Sequence, residues 1–389
     1  MALTNTANRY GTVTKVFHWL TALLILTNLI LAQIGEALSP ETQLALKAQV
    51  YSLHKTVGVA VFFVALARIL WALTQPKPGP LHPDRRAETY LAELVHWHLY
   101  GALVLVPLTG WIYHAATEGF APILWPFSQN LPGLIENAGI AALFKTAHHL
   151  FAKVLVVSLL LHVAGALKHV FVDRDATLRR MWFGQIEAGT TSDTAHRSPA
   201  LIALAVYVVG AIAAFALTEP QAETTTPTAQ AAGAGNWAVE SGEIGFTANQ
   251  FGKPVDGSFA NWQADISFDE ATGTGEVRVE IDITSLSLGS VTKDALAPAY
   301  FDAEAHPTAL FEADIAPEGD GFTATGTLSL AGEAAGVALP FALTIEDDTA
   351  TMSGEVTLMR QTFGIGGSDE GTVGFEVPVR INLTATRAG

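Results

Sequence analysis

Hydrophobic positions fill the first 217 residues in long runs and then change period. The first run covers about 16–35, with no charge between Lys15 and Glu36. Further runs cover about 52–74, 94–116, 146–171 and 200–217. Each approaches the roughly 20 apolar residues that carry a helix across a bilayer. Five transmembrane helices are therefore expected. Residues 218–236 (TEPQAETTTPTAQAAGAGN) are rich in Thr, Ala, Pro and Gly and read as a flexible linker. Beyond it the apolar positions alternate. Val277, Val279, Ile281 and Ile283 are interleaved with Glu276, Arg278, Glu280 and Asp282, and Trp262, Ala264, Ile266 and Phe268 follow the same rule. Gly-rich turns recur at 273–275, 318–321 and 364–367. About eight short strands of this kind predict an antiparallel barrel or sandwich.

Charge divides the chain at the same place. Residues 1–235 carry 15 Lys+Arg and 13 Asp+Glu, whereas residues 236–389 carry 6 and 24. A near-neutral apolar half joined to an acidic half reads as a membrane domain followed by a soluble one. Nothing is basic enough for nucleic acid. The chain has no cysteine, which excludes disulfides, thiolate metal sites, iron–sulfur clusters and covalent c-type haem. The first apolar run is too long for a cleavable signal and lacks a small-residue cleavage pattern. Arg9, Lys15, Lys77, Arg85, Arg86, Arg174, Arg179, Arg180 and Arg197 fall on one side of the expected spans. The opposite loops hold Glu36, Glu41, Glu118 and Glu136 against Lys47 and Lys145. The excess of Lys and Arg predicts a cytoplasmic N-terminus, which puts everything after residue 217 outside.

The chemistry lies in the histidines. His148 and His162 are 14 residues apart on one span, about 40° short of four turns and roughly 21 Å apart along the axis. Both therefore face one side, with room for two haems at two depths. The predicted orientation pairs His54 with His148 near the outer face and His18 with His162 near the inner face. Two imidazoles across an iron are how a b-type haem is held, and ionisable residues within spans are usually functional. The bland alternative is a set of interhelical hydrogen-bonded histidines. Arg68, 14 residues after His54, is placed for an inner haem propionate or for snorkelling to the interface. Gly58 and Gly165 would let a macrocycle lie close, or serve ordinary helix packing. Lys55 and Lys153, a turn beyond the outer ligands, are candidates for tuning a haem. His96 and His114 share a face of the third span and form a rival ligand pair, with His96 otherwise a quinone or proton contact. His98 and His149 lie off the ligand faces, and His82, His169 and His196 look like loop or interfacial residues.

Several stretches resemble known families. RYGTVTKVFHWL, LHKTVGV, LAELVHWHLYGALVLVPLTGW and AHHLFAKVLVVSLLLHVAGALKHVFVDRDATLRRM, within residues 9–185, resemble the bacterial cytochrome b561 family. That resemblance implies a four-helix, inner-membrane quinone oxidoreductase with two haem b groups, whose axial ligands match His18, His54, His148 and His162. The family's third-span histidine matches His96. NWAVESGEIGF, GSFANWQADISFD, VEIDITSLSLG, KDALAPAYFDAEAHPTALFEA, GTLSLAGEAAGVALPF and LMRQTFGIGG, within 236–388, resemble the YceI-like family. That family implies a lipocalin-like barrel for long isoprenoid chains, including isoprenoid quinones. Trp262, Phe268, Phe311 and Phe341 are the candidate lipid contacts. The alternative is a barrel filled by its own side chains.

The expected organisation is a di-haem helical membrane domain over 1–185, a fifth transmembrane helix over 198–218, a linker over 219–236 and a periplasmic all-β barrel over 237–389. The expected function is electron transfer to or from ubiquinone or another isoprenoid quinone, with the barrel holding an isoprenoid lipid. One alternative takes electrons from superoxide to quinone beside an independent, stress-related lipid module. Another is a membrane-anchored isoprenoid carrier with no redox role. Homodimerisation stays open.

Overall fold

The computed structural model describes residues 2–82, 84–117, 121–128, 130–134, 137–182, 198–218, 230–231 and 235–388. Most of the expected linker, His196, Glu118 and Glu136 lie outside the described residues. The chain divides into a helical unit and a β unit.

Among the described residues, five helices are long and apolar enough to cross a membrane. They are α1 (Thr12–Ala37), α2 (Pro40–Leu73), α3 (Arg86–Ala115), α4 (Ala138–Lys168) and α5 (Ser198–Leu217). All five begin earlier than the apolar runs, α2, α3 and α4 by about two turns or more. Hydropathy detects only the apolar middle of a helix, whereas segments such as LALKAQV and RAETYLAEL are good helix formers that extend it into polar surroundings. The side chain of Asn137 caps α4 by accepting from the Ile140 N–H at 2.9 Å. After α4 the chain widens into a π-helical turn, His169–Asp173, and leaves through Arg174 in the left-handed conformation. A five-residue helix, Thr177–Met181, follows. Lys15 Nζ and Trp19 Nε1 donate to the carbonyls of Trp182 and Met181, each at 2.8 Å, and so tie this segment to the start of α1.

Helix α3 packs closely along α4, and α5 lies against both. The core between them holds Ala102, Leu103, Ala147, Phe151, Leu155, Tyr207 and Ala214. The backbones of α1 and α2 stay further from α4 than α3 does.

The β unit is a closed antiparallel barrel. Its strands are β1 (Trp237–Gln250), β2 (Lys253–Phe259), β3 (Trp262–Asp269), β4 (Thr274–Asp282), β5 (Thr308–Glu318), β6 (Gly321–Leu330), β7 (Glu333–Glu346), β8 (Thr349–Met359) and β9 (Glu376–Arg387). Strands β3 to β9 pair in sequence order, β9 pairs with β1, and Trp237 opposite Ile266 closes β1 onto β3. Strands β2 and β3 run on across two residues as one bent strand, which makes the barrel eight-stranded. The alternation read from the sequence is the inside–outside alternation of its wall. Trp262, Ala264, Ile266, Phe268, Val277, Val279 and Ile281 all face the lumen. A one-turn helix, Thr292–Ala295, and Phe301 pack against the same core.

Arg360 organises the return from β8 to β9. The residue is 4% exposed, and its guanidinium donates to the carbonyls of Ile365, Gly367, Asp369, Val373 and Gly374. It also lies 5.2 Å from the centre of the Phe375 ring.

Candidate haem-binding site

Helix α4 carries one ring of each facing pair. His54 on α2 faces His148 with ring centres 6.4 Å apart and planes at 87°. His18 on α1 faces His162 at 6.1 Å and 57°. These are the two pairs that spacing and orientation anticipate. Two imidazoles on one metal hold their nitrogens about 4 Å apart, so their ring centres lie roughly 6 Å apart. Both separations fit that requirement. The wider spacing of α1 and α2 from α4 leaves the imidazoles to span the gap, and all four paired histidines are half-buried.

The rings of the His54–His148 pair are aimed from behind. His54 Nδ1 lies 3.0 Å from the Asn28 carbonyl of α1. His148 Nδ1 lies 2.9 Å from the Val106 carbonyl of α3. A carbonyl can only accept, so Nδ1 carries the proton and Nε2 keeps its lone pair for a metal. Gly110, one turn beyond Val106, makes room for the His148 ring. A Cβ there would stand 3.0 Å from ring atoms Cε1 and Nδ1. Asn28, Val106 and Gly110 did not emerge from the sequence. A backbone carbonyl has no sequence signature, and Gly110 reads as ordinary packing.

His96 does not face a partner across a metal-sized gap. Its ring sits edge-on to His162 at 5.1 Å, and its Nδ1 lies 2.5 Å from its own helix's Ala92 carbonyl. That approach is too close for an iron between the two rings. His96 therefore borders the His18–His162 pair. His114 interacts electrostatically with Lys55, His148 and His54, so α3 supplies one extra imidazole at each level. Arg68 lies near enough to His18, His162 and His96 to act on all three, and stands 5.7 Å from the Tyr100 ring centre. Lys55 is buried and Lys153 is exposed. A Cβ on Gly58 would touch the Asn28 amide at 3.4 Å, and one on Gly165 would meet nothing within 4 Å. His98 turns toward Tyr207 of α5, and His149 is exposed.

A polar cluster closes the end of α4. Asp175 Oδ2 lies 2.7 Å from His169 Nδ1 and 3.1 Å from His82 Nε2, and the two rings are stacked in parallel at 6.5 Å. Glu88, His169 and Asp173 stand close enough to share a cation. The two acids are already paired, however. Lys168 Nζ lies 2.9 Å from both, and Arg85 lies 3.0 Å from Asp173. The Asp173 carboxylate accordingly raises the pKa of Arg85. The network serves as a polar clasp.

In the barrel, Trp262, Phe268, Phe311 and Phe341 all line an apolar cavity of about 290 Å³.

Residues 9–184 match the family of prokaryotic cytochrome b561. Cytochrome b561 homolog 2 of Escherichia coli (strain K12) is 32% identical over 182 residues, which are 46% of this chain and 95% of that protein. The chain belongs to the prokaryotic cytochrome b561 family. Haem b is the group that this family implies, and the ring spacings, the aimed Nδ1 atoms and the room beside Gly165 fit it. The probable superoxide oxidase CybB of Yersinia pestis is 26% identical over 176 residues, 44% of this chain and 95% of that protein. Beyond the cytochrome b561 region, residues 237–385 match the YceI-like domain. BcnA of Burkholderia cenocepacia is 29% identical, with a TM-score of 0.36, over 37% of this chain and 96% of that structure. A YceI protein of Campylobacter jejuni is 20% identical, with a TM-score of 0.31, over 34% and 85%.

Proposed function

We propose that this cytochrome b561 holds two haem b groups, one between His54 and His148 and one between His18 and His162. It passes electrons between them and an isoprenoid quinone. The observation that supports this most strongly is the pair of imidazole gaps, 6.4 and 6.1 Å, built on one helix. When bound, the haems supply one-electron transfer at two depths in the membrane.

The protein's own residues set the conditions. The carbonyls of Asn28 and Val106 hold the outer imidazoles in one tautomer and raise their basicity as ligands. Arg68 offers a cation at the inner level, suited to a propionate. His96, beside the inner pair yet outside its axis, is placed to contact a quinone or to carry a proton. We assign the N-terminus to the cytoplasm and the barrel to the periplasm of an inner-membrane protein, on the loop charges. The domain boundaries follow as a haem domain over 1–185, a fifth span over 198–218, a linker over 219–236 and a barrel over 237–389. The barrel holds an isoprenoid lipid, in keeping with its largely apolar wall.

Haem content of the purified protein tests this reading. Two haems are expected per chain, one after His54→Ala, and two after His96→Ala. Loss of a haem only in His96→Ala would overturn the pairing. Absence of any b-type band would end the redox reading and leave an anchored lipid carrier. The likeness to the Yersinia pestis protein favours superoxide as an alternative electron source. Haem reduction by a superoxide-generating system, with and without the barrel, separates this source from quinol.

A further inference from the structure

Two arginines near the His18–His162 pair are held by aromatic rings and not by acids. Arg180, on the short helix after α4, is 9% exposed. Its guanidinium lies 5.3 Å from the Tyr10 ring centre, and its Nη2 donates to the Gly79 carbonyl at 2.9 Å. Its Nε is buried and meets no acceptor among the described residues. Arg68, on α2, stands 5.7 Å from the Tyr100 ring centre. Among the described residues neither guanidinium pairs with a carboxylate.

The two cations share one neighbourhood. Both act electrostatically on Tyr10, as does Tyr100. Arg68 also acts on His18 and His162. The short helix that carries Arg180 reaches the same place, because Trp19 Nε1 donates to the Met181 carbonyl at 2.8 Å and the Trp19 ring meets the His18 ring edge-on at 5.4 Å. Nearby acids are engaged elsewhere. Asp173 pairs with Lys168 and Arg85, Asp175 bonds His82 and His169, and Glu93 acts on His96. A buried guanidinium with no counter-charge is costly, so its place in the fold implies an anionic partner. A ring under a guanidinium fixes its plane and leaves its N–H edge open. That edge matches a carboxylate, which it can hold through two parallel bonds.

Resting on the reading of His18 and His162 as haem ligands, we propose that Arg180 and Arg68 form a two-cation carboxylate site whose ligand is the pair of propionates of the haem those histidines hold. Arg180 is thus a second anchor beside Arg68. Tyr10 and Tyr100 brace the two guanidiniums, and the Gly79 carbonyl fixes one end of the Arg180 fork. The segment after α4 is then part of the haem site, although it carries no axial ligand.

Spectroelectrochemical titration of the full-length protein tests this, with its haem ¹³C-labelled at the propionate carboxyls and the His18–His162 haem assigned by its loss in His18→Ala. Arg180→Gln leaves propionate charge uncompensated, which favours ferric iron. The midpoint potential of that haem should fall by about 59 mV, a tenfold change for one electron. The His54–His148 haem should keep its potential. Arg68→Gln should act in the same way. In reduced-minus-oxidised infrared difference spectra the labelled carboxylate bands should move in Arg180→Gln. They should also move in Arg180→Lys, which keeps the charge and loses the fork, with a smaller change in potential. Unmoved bands, together with a parent potential that shifts as acetate is added, would place a free carboxylate in the site and overturn the propionate assignment. Unmoved bands and potentials, or equal shifts of both haems, would overturn the site itself. Unchanged haem content in His18→Ala would instead end the haem reading on which the site rests.

Discussion

His148 rests its Nδ1 against the carbonyl of Val106, 2.9 Å away on a neighbouring helix. Gly110 makes that contact attainable, because a side chain there would press on the ring. Gly110→Val should therefore displace the imidazole and break the bond, and only the outer haem should respond. Loss of the Nδ1–H···O=C bond makes the ligand less basic and favours the reduced iron. The midpoint potential of that haem should rise by a few tens of millivolts, corresponding to about 1 kcal/mol for one hydrogen bond. A spectroelectrochemical titration checks this. A shift of both haems alike would show a general loosening of the bundle.

The histidine pairs were legible in the sequence because helical spacing and loop charge between them fix face and depth. His148 and His162 share a helix, and each needed only a partner at its own level. Helix docking was not legible. Neither the Asn28 and Val106 carbonyls behind the outer rings nor the edge-on place of His96 follows from any run of residues, because both depend on how separate helices meet. The barrel wall was legible from the alternation at 262–268 and 277–283. The buried indole N–H groups of Trp237 and Trp262, which find no acceptor among the described residues, were not, since a Trp on an inward face reads as core until every neighbour is known.

Asp175 makes the end of α4 sensitive to acid. Burial alone would raise its pKa, but hydrogen bonds from Thr177 and His169 outweigh burial and hold it well below the usual 3.8. A carboxyl depressed by folding contributes stability that is full above its unfolded pKa and is lost as pH falls through the folded value. The helical unit should therefore lose stability as pH falls below about 4. Asp175→Asn should lower the melting temperature at pH 7 and flatten that acid limb. Parallel thermal melts of parent and variant between neutral and acid pH decide it. An unchanged slope would show that His82 and His169 are held by other contacts.

Arg360 is a stronger test of the barrel than any apolar residue in its wall. Its planar fork reaches five carbonyls of the β8–β9 return, three of them on the buried or half-buried residues Ile365, Val373 and Gly374. Arg360→Lys keeps the charge but cannot reproduce the fork. With several buried acceptors released at about 1 kcal/mol or more each, the barrel should lose roughly 3–5 kcal/mol. The haem spectrum should not change. Circular dichroism in the strand region, followed against temperature, reads the first effect, and the visible spectrum of the same sample reads the second.

The fifth helix is locked to the haem bundle by one ring. Tyr207 of α5 donates its hydroxyl to the His98 carbonyl at 2.5 Å, and its ring lies so close to Gly101 that a Cβ there would stand 2.4 Å from it. Behind the ring sits Phe151 of α4, 5.3 Å away centre to centre. Gly101→Val should thus force the ring out of its seat, lose the hydroxyl bond and free α5 from α3. Tyr207→Phe should lose only the bond, about 1 kcal/mol. The two sites must couple, because removing the ring removes the clash. Gly101→Val should cost far less in a Tyr207→Ala background than alone, with an interaction energy of about 1–3 kcal/mol. A double-mutant cycle on thermal stability in detergent measures it. The cysteine-free sequence adds a direct check, since cysteines introduced on facing turns of α3 and α5 should cross-link in the parent and fail to do so in Gly101→Val. Additive costs, or undiminished cross-linking, would mean that α5 is held by its apolar surface alone and that the Tyr207 seat is incidental.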